Sequence, residues 1–538
     1  MLKLVFSYLP ILLLIFLMLK KKSISSSKAL PLTALLTYFI MIFIFKQDII
    51  LIHATVIKGL LVAWTPILII AGAIFLFITM EATGSLSAIR EWLNGISKNK
   101  IAQLMIVGWA FSFLIEGASG FGTPAAIAAP ILVGLGFPPV RVAILALIMN
   151  TVPVPFGAVG TPTWFGFSGI PLNHHELLAV GFESAKLNSI AALFIVPLAL
   201  MFIVKPKGIL KNWLFILLSI ISTVVPFLIF AHFSYEFPSL AGGTIGLLVT
   251  VFLAQKGIGL SKEQVEMHQT VQESSILSSP NILQATRKSN LLLASFPLWG
   301  TILLLILTRI PEFGLKQLLT MSDPALHLKL GPIADFYLSP SLVIGLNNIF
   351  GTNVSWEHAL LYVPSLIPFF LISFITLLLY RNASKTKSII KETVDRMKGP
   401  TFALLGALVF VNLMMMGDDS SAVTLIGQHL ARIMGSMWTY TAQFLGALGT
   451  FFSGSLTISN LTFGGIQDAI ARDLSLNRNL VLAMQSAGGA MGNMICINNI
   501  VAVASILSLV KVEGYILKRT IVAMLVYGVV IGIVAMFL

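Results

Sequence analysis

Apolar runs of membrane-crossing length recur along the whole chain, at residues 4–19, 29–45, 60–80, 190–204, 213–231, 291–307, 359–380, 401–416 and 520–538. A helix needs roughly 20 apolar residues to cross a hydrocarbon core, and fewer where it is buried or re-entrant. The pattern predicts about 12 to 14 such segments. With 57% hydrophobic and only 10% charged residues, the chain lacks the polar surface of a water-soluble globule. The expected fold is an all-α polytopic membrane protein whose medium is the lipid bilayer.

Two of the apolar stretches break in the same way. One gives Glu116-Gly117-Ala118-Ser119-Gly120-Phe121-Gly122-Thr123-Pro124, and the other Ser453-Gly454-Ser455-Leu456-Thr457-Ile458-Ser459-Asn460. Each precedes a second small-polar break, Asn150-Thr151-Val152-Pro153-Val154-Pro155-Phe156-Gly157 and Gln485-Ser486-Ala487-Gly488-Gly489-Ala490-Met491-Gly492. Gly117 and Asn150 are 33 residues apart, Gly454 and Gln485 31. Lipid cannot satisfy free N–H and C=O groups, so broken backbone at membrane depth lines a cavity or is buried in protein. Paired breaks in two halves point to the binding site of a secondary carrier. The expected organisation is an N-terminal half at residues 1–254, with motifs at 113–124 and 150–162. A cytoplasmic linker at 255–288 leads to a C-terminal half at 289–538, with motifs at 452–467 and 485–499. The halves read as repeats inverted in the membrane, with re-entrant hairpins. The proline- and asparagine-rich interval 310–353 fits either an extracellular loop or a shallow re-entrant segment.

The net charge of +13 does not signal nucleic acid, because the basic residues sit in short loops. Lys20, Lys21, Lys22 and Lys28 form one group, and Lys205, Lys207 and Lys211 another. Arg381, Lys385, Lys387, Lys391, Arg396 and Lys398 form a third. Such clusters mark the cytoplasmic face and place the N-terminus outside. The first span reads as a retained helix rather than a cleaved signal, since no small-residue cleavage pattern follows it. The single cysteine, Cys496, excludes intrachain disulfides and multi-cysteine metal sites and reads as apolar filler. No phosphate-binding loop, H-E-x-x-H or G-x-S-x-G motif occurs, which argues against an ATP-driven pump or a hydrolase. The expectation is a carrier and not an enzyme, with no cofactor and no metal.

The breaks supply groups suited to a small anion. Glycines at 117 and 122 permit tight re-entrant turns, and helix N-termini there attract a carboxylate. The hydroxyls of Ser119, Thr123, Thr151, Ser455, Thr457, Ser459 and Ser486, with the amides of Asn150, Asn460 and Gln485, can bond a polar substrate. The blander role of such small residues is close helix packing. Glu116 follows Phe113-Leu114-Ile115, and an ionisable group at depth is by default a functional candidate. Low dielectric favours the protonated carboxyl, so Glu116 is the first candidate for proton coupling. Asp418 and Asp419 follow it, with helix capping as their plainer role. Arg141 reads as a helix-start residue and His174-His175 as loop.

At these residues the chain resembles the L-lactate permease family. The resemblance runs through Phe113-Leu114-Ile115-Glu116-Gly117, Gly122-Thr123-Pro124 and Asn150-Thr151…Pro153…Phe156-Gly157. It continues through residues 452–460 with Phe463, and through Gly488-Gly489-Ala490-Met491-Gly492-Asn493-Met494-Ile495. It implies a bacterial cytoplasmic-membrane protein that carries lactate, and often glycolate, with a proton. It also implies a wider group of carriers with inverted repeats, in which one domain moves as an elevator. Relatives with an acid at the place of Leu456, a lysine at Asn493 or a histidine at Asn498 differ from this chain, which leaves weight on Glu116. The leading expectation is therefore symport of a small 2-hydroxymonocarboxylate with H⁺. A Na⁺-coupled or other organic-anion carrier is the alternative within transport, and a membrane-embedded sensor or enzyme the alternative outside it. A homo-oligomer is left open.

Overall fold

The computed structural model describes residues 2–19, 24, 26–120, 123–267, 291–309, 313–363, 365–417, 420–507, 509 and 512–538. Asp418, Asp419, Gly122 and the linker beyond residue 267 lie outside the described residues. Among the described residues six helices are long and apolar enough to cross a membrane singly. They are Lys100–Ala118, His174–Met201, Trp213–Phe233, Pro238–Lys256, Ala383–Met414 and Glu513–Val534. The helix pair Pro139–Met149 and Val154–Trp164, bent by 66°, has the length and apolarity of a broken span or a re-entrant loop, and shorter apolar helices accompany these. The protein is all-α in its membrane part, as its hydropathy requires.

The chain forms two compact units, each built from two segments distant in the sequence. The first comprises residues 1–86 and 292–433. Its long helix Thr386–Met414 packs closely on Ser26–Phe43 and Ile49–Val62, because glycines remove the obstructing side chains. A methyl at Gly406 would collide with Pro31, and one at Gly59 with the Val409 backbone. Phe75, Ile78, Leu377 and Ile389 form a buried cluster in this unit. The interval left undecided between residues 310 and 353 contains most of an antiparallel meander: β1 (Leu326–Lys329), β2 (Asp335–Leu338), β3 (Val343–Asn347) and β4 (Trp356–Ala359). Leu326 pairs with Leu338, Asp335 with Asn347 and Val343 with Ala359. Ala334 and Ile349 anchor this sheet on Ala54 of the helix Ile49–Val62.

The second unit comprises residues 87–291 and 434–538. Within it the same succession of elements occurs twice. A helix ending at Ser119 turns back into Thr123–Gly134, and the broken pair Pro139–Met149 and Val154–Trp164 follows. Later, Trp438–Ser453 turns back into Leu456–Asp473, followed by Arg478–Gly492 and Ile497–Ile506. The two hairpins turn on glycines with positive φ, Gly120 (60°) and Gly454 (76°), a conformation costly for residues with a Cβ. Asn99, Ser455 and Asn477 cap the helices that follow them, each accepting from a first-turn N–H.

The span Lys100–Ala118 is wholly buried inside the protein, unlike a lipid-facing helix. Trp109 Nε1 donates to Thr223 Oγ1 at 3.1 Å, and Gly117 and Gly243 bring Pro238–Lys256 into backbone contact with it. On the far side, Lys205 and Lys211 pair with Glu266 and Glu263, holding the segment after Lys256 against Pro206–Lys211. These lysines hold both carboxyls below the usual carboxylate range.

Candidate functional site

Three of the breaks singled out in the sequence meet inside the second unit; the fourth, Gln485–Gly492, is no break, because the helix Arg478–Gly492 runs through it and gives way only at Asn493–Ile495. One cavity is lined by Glu116, Gly120, Val154, Gly157, Ala158 and Pro162 from the first set of elements. Gly454, Ser455, Leu456, Thr457 and Asn493 line it from the second.

Glu116 sits in the last turn of the helix Ser112–Ser119, 2% exposed. Its Oε2 accepts from Asn150 Nδ2 at 3.2 Å, and no ion pair to it exists among the described residues. The side chain absent at Gly157 makes room for Oε1, which a methyl there would strike. A lone carboxylate without water or a cation is far costlier to bury than a neutral carboxyl. The wall beside it is unusual backbone. Ala158, Val159 and Gly160 have φ of 43°, 58° and 71°, three successive residues in the left-handed region. For a β-branched residue such as Val159 this conformation is strained and must be held by its surroundings. Prolines at 153, 155 and 162 limit helical hydrogen bonding around this stretch, and Trp164 Nε1 donates to Val159 O at 3.0 Å.

Opposite stands the N-terminus of Leu456–Asp473. Ser455 caps it, its hydroxyl accepting from Ile458 N. Thr457 is 1% exposed, and its Oγ1 has no hydrogen-bond partner among the described residues. A helix start with free N–H groups and an unpaired hydroxyl is a ready anion site. The cavity thus brings a carboxyl group and a helix N-terminus to one space.

The remaining expected residues stand behind these walls. Gln485 Nε2 donates to Ser459 Oγ at 3.1 Å, and its Oε1 accepts from Gln467 at 3.0 Å. Ser459 Oγ donates to Gly446 O, and Asn460 Nδ2 donates to Pro162 O at 2.9 Å. Thr151 Oγ1 donates to Ile148 O. Ser486 is buried, its Oγ without a hydrogen-bond partner among the described residues, and lies outside the cavity lining. Gly117 serves the contact with Ser239–Leu240. Ser119 ends one helix and Thr123 begins the next, so both mark the hairpin turn. Arg141 donates to Phe202 O at 2.9 Å, and His174 opens a helix behind an Asn173–Glu176 capping box. The apolar lining, Val154, Ala158, Pro162 and Leu456, was not singled out as binding residues. Nothing in its residue types distinguishes it from ordinary core.

Broken helices around a buried cavity, in a chain of many apolar helices, define a multi-pass membrane transporter and not an enzyme. The family model for L-lactate permease matches residues 3–538, and the chain belongs to that family. It is 46% identical to a putative L-lactate permease of Haemophilus influenzae, over 100% of this chain and 99% of the relative. Glycolate permease GlcA of Escherichia coli is 26% identical, over 94% and 90%. An L-lactate permease of Bacillus subtilis is 29% identical, over 84% and 81%. Its place is the bacterial cell membrane.

Proposed function

We propose that this chain moves L-lactate, or a similar small 2-hydroxymonocarboxylate such as glycolate, across the membrane together with a proton. The observation that carries the reading is the cavity itself, with Glu116 on one wall and Thr457 at a helix N-terminus on the other. The substrate carboxylate lies at the first turn of Leu456–Asp473, bonded by N–H groups and by Thr457 Oγ1. The proton rides on Glu116, so that taking up H⁺ with the anion leaves the site at the same single negative charge it carries when empty with Glu116 ionised. The cycle is then electroneutral, and the protonated carboxyl spares the substrate a second carboxylate charge beside it. Asn150 holds the carboxyl in place, and Gln485, Ser459 and Asn460 position the opposing walls. The recurring hairpin and broken-helix order supports two inverted halves, residues 1–254 and 289–538, each giving one set of breaks.

The test is uptake of labelled L-lactate into proteoliposomes under an imposed pH gradient, with and without Na⁺. Wild type accumulates substrate on the proton gradient alone. Glu116→Gln loses that accumulation yet still exchanges internal for external substrate, because exchange needs no net proton movement. A strict Na⁺ requirement sinks proton symport and supports a Na⁺-coupled carrier. Gradient-driven accumulation intact in Glu116→Gln moves the proton to another group.

A further inference from the structure

We propose that Leu456, with Val154 and Ala158 facing the same cavity, forms a side-chain subsite that limits the length of the substrate's alkyl group. This inference rests on the 2-hydroxymonocarboxylate reading above. The cavity wall has two chemical characters. Glu116, Ser455, Thr457 and Asn493 supply polar groups, whereas Val154, Ala158, Pro162 and Leu456 supply none beyond backbone. Leu456 directly precedes Thr457 at the helix start, so an anion seated on that N-terminus has the leucine as its neighbour. A carboxylate there leaves the substrate's next carbons to face the apolar side.

The position of Leu456 is fixed by its surroundings. It packs with Val154 and Ala490 in one buried cluster, the three being 3%, 4% and 0% exposed. Its Cδ1 fills the space over Gly489, where a methyl would overlap it. Val154 lies just before the strained run 158–160 and Ala158 opens it, and Asn460 and Trp164 tie this stretch through the Pro162 and Val159 carbonyls. A side chain held this closely cannot swing aside, so its volume is a limit rather than a preference. Each methylene added at the hydroxylated carbon must displace such a wall.

The experiment measures competing uptake of glycolate, L-lactate, L-2-hydroxybutyrate and L-2-hydroxyvalerate in proteoliposomes. Wild type, Leu456→Ala and Leu456→Phe are compared as ratios between acids, which cancels differences in protein amount. A methylene in an apolar pocket changes discrimination by about tenfold. Leu456→Ala is therefore expected to move the 2-hydroxybutyrate-to-lactate ratio about tenfold toward the longer acid. Leu456→Phe moves the lactate-to-glycolate ratio by a similar factor toward glycolate. If Leu456→Ala does not fold, Val154→Ala enlarges the same space from the facing wall and must shift the ratio in the same direction. Flat ratios in folded variants of a wild type that carries lactate overturn the subsite alone. A wild type that carries none of the four acids overturns the substrate reading and the subsite with it.

Discussion

The chemistry of the site comes down to a few atoms. Glu116 was legible because a carboxyl amid Phe113, Leu114 and Ile115 has no cheap reason to be there. Thr457 was legible as a hydroxyl in a broken span, and its unpartnered Oγ1 distinguishes it from Ser459, whose hydroxyl is already bonded to Gly446. The sequence could not separate these two, since both look like polar residues at depth. Gln485 and Asn460 were grouped with the binding residues for the same reason, yet their amides are taken up by Ser459, Gln467 and Pro162. Substituting Thr457→Val keeps the shape and removes the hydroxyl. A hydrogen bond to a charged group contributes about 1.5–3 kcal/mol, so KM for the carboxylate is expected to rise by roughly tenfold or more. Uptake kinetics in proteoliposomes check this, and an unchanged KM would place the anion elsewhere.

At the level of elements, glycine and proline punctuation fell where helices break at 120, between 150 and 157, and at 454, but not at 485–492, where the glycines lie inside the helix Arg478–Gly492. The same small residues also draw helices together. Trp438–Ser453 lies so near Arg478–Gly492 that a methyl at Gly488 would overlap Gln443 O, and one at Gly492 would overlap Ala447 O. Gly488→Ala therefore forces backbone apart and is expected to cost about 3 kcal/mol, near the top of the range for overpacked cores. Gly95→Ala, in a helix with open space around it, leaves stability unchanged or slightly raised. Thermal unfolding in detergent compares the two. The four-stranded meander was not legible, because β1 to β4 are only four or five residues long and lie among turn residues. Short strands of this kind are specified by their partners rather than by local pattern. The Lys205–Glu266 and Lys211–Glu263 clip makes a prediction about acid. Both carboxyls are held below their ordinary values, so the clip is fully present above the ordinary carboxylate range and lost as pH falls through the lowered values. Amide protection over residues 260–267, taken relative to the intrinsic exchange rate at each pH, should fall below about pH 4 and stay constant between pH 6 and 8.

For the molecule as a whole, hydropathy decided the class and the paired breaks decided where to look. The composition of the two units was beyond reach, because contacts between distant segments leave no local trace. Residues 87–291 and 434–538 form one unit through bonds that link its two sequence segments. Arg478 pairs with Glu176 at 2.9 Å and with Asp468, while reaching Pro171 O; Tyr527 donates to Asn188 Oδ1 at 2.7 Å. Asp468 is nearly buried, so removing the arginine leaves a poorly solvated carboxylate whose remaining ion-pair partner among the described residues is Arg472. Arg478→Ala should cost about 2 kcal/mol, below the 3–5 typical of fully buried pairs because Arg478 is partly exposed. The expected sign is a lowered unfolding temperature in detergent, with the ratios among transported acids unchanged.

The Asn460–Pro162 bond carries a consequence of its own. It stitches one wall of the cavity to the other, alongside the Arg478 and Tyr527 ties between the same two sequence segments. Such a cavity does not open the way a clamshell does, by parting its walls, without losing several buried polar contacts at once. Its two walls therefore move together, as one piece.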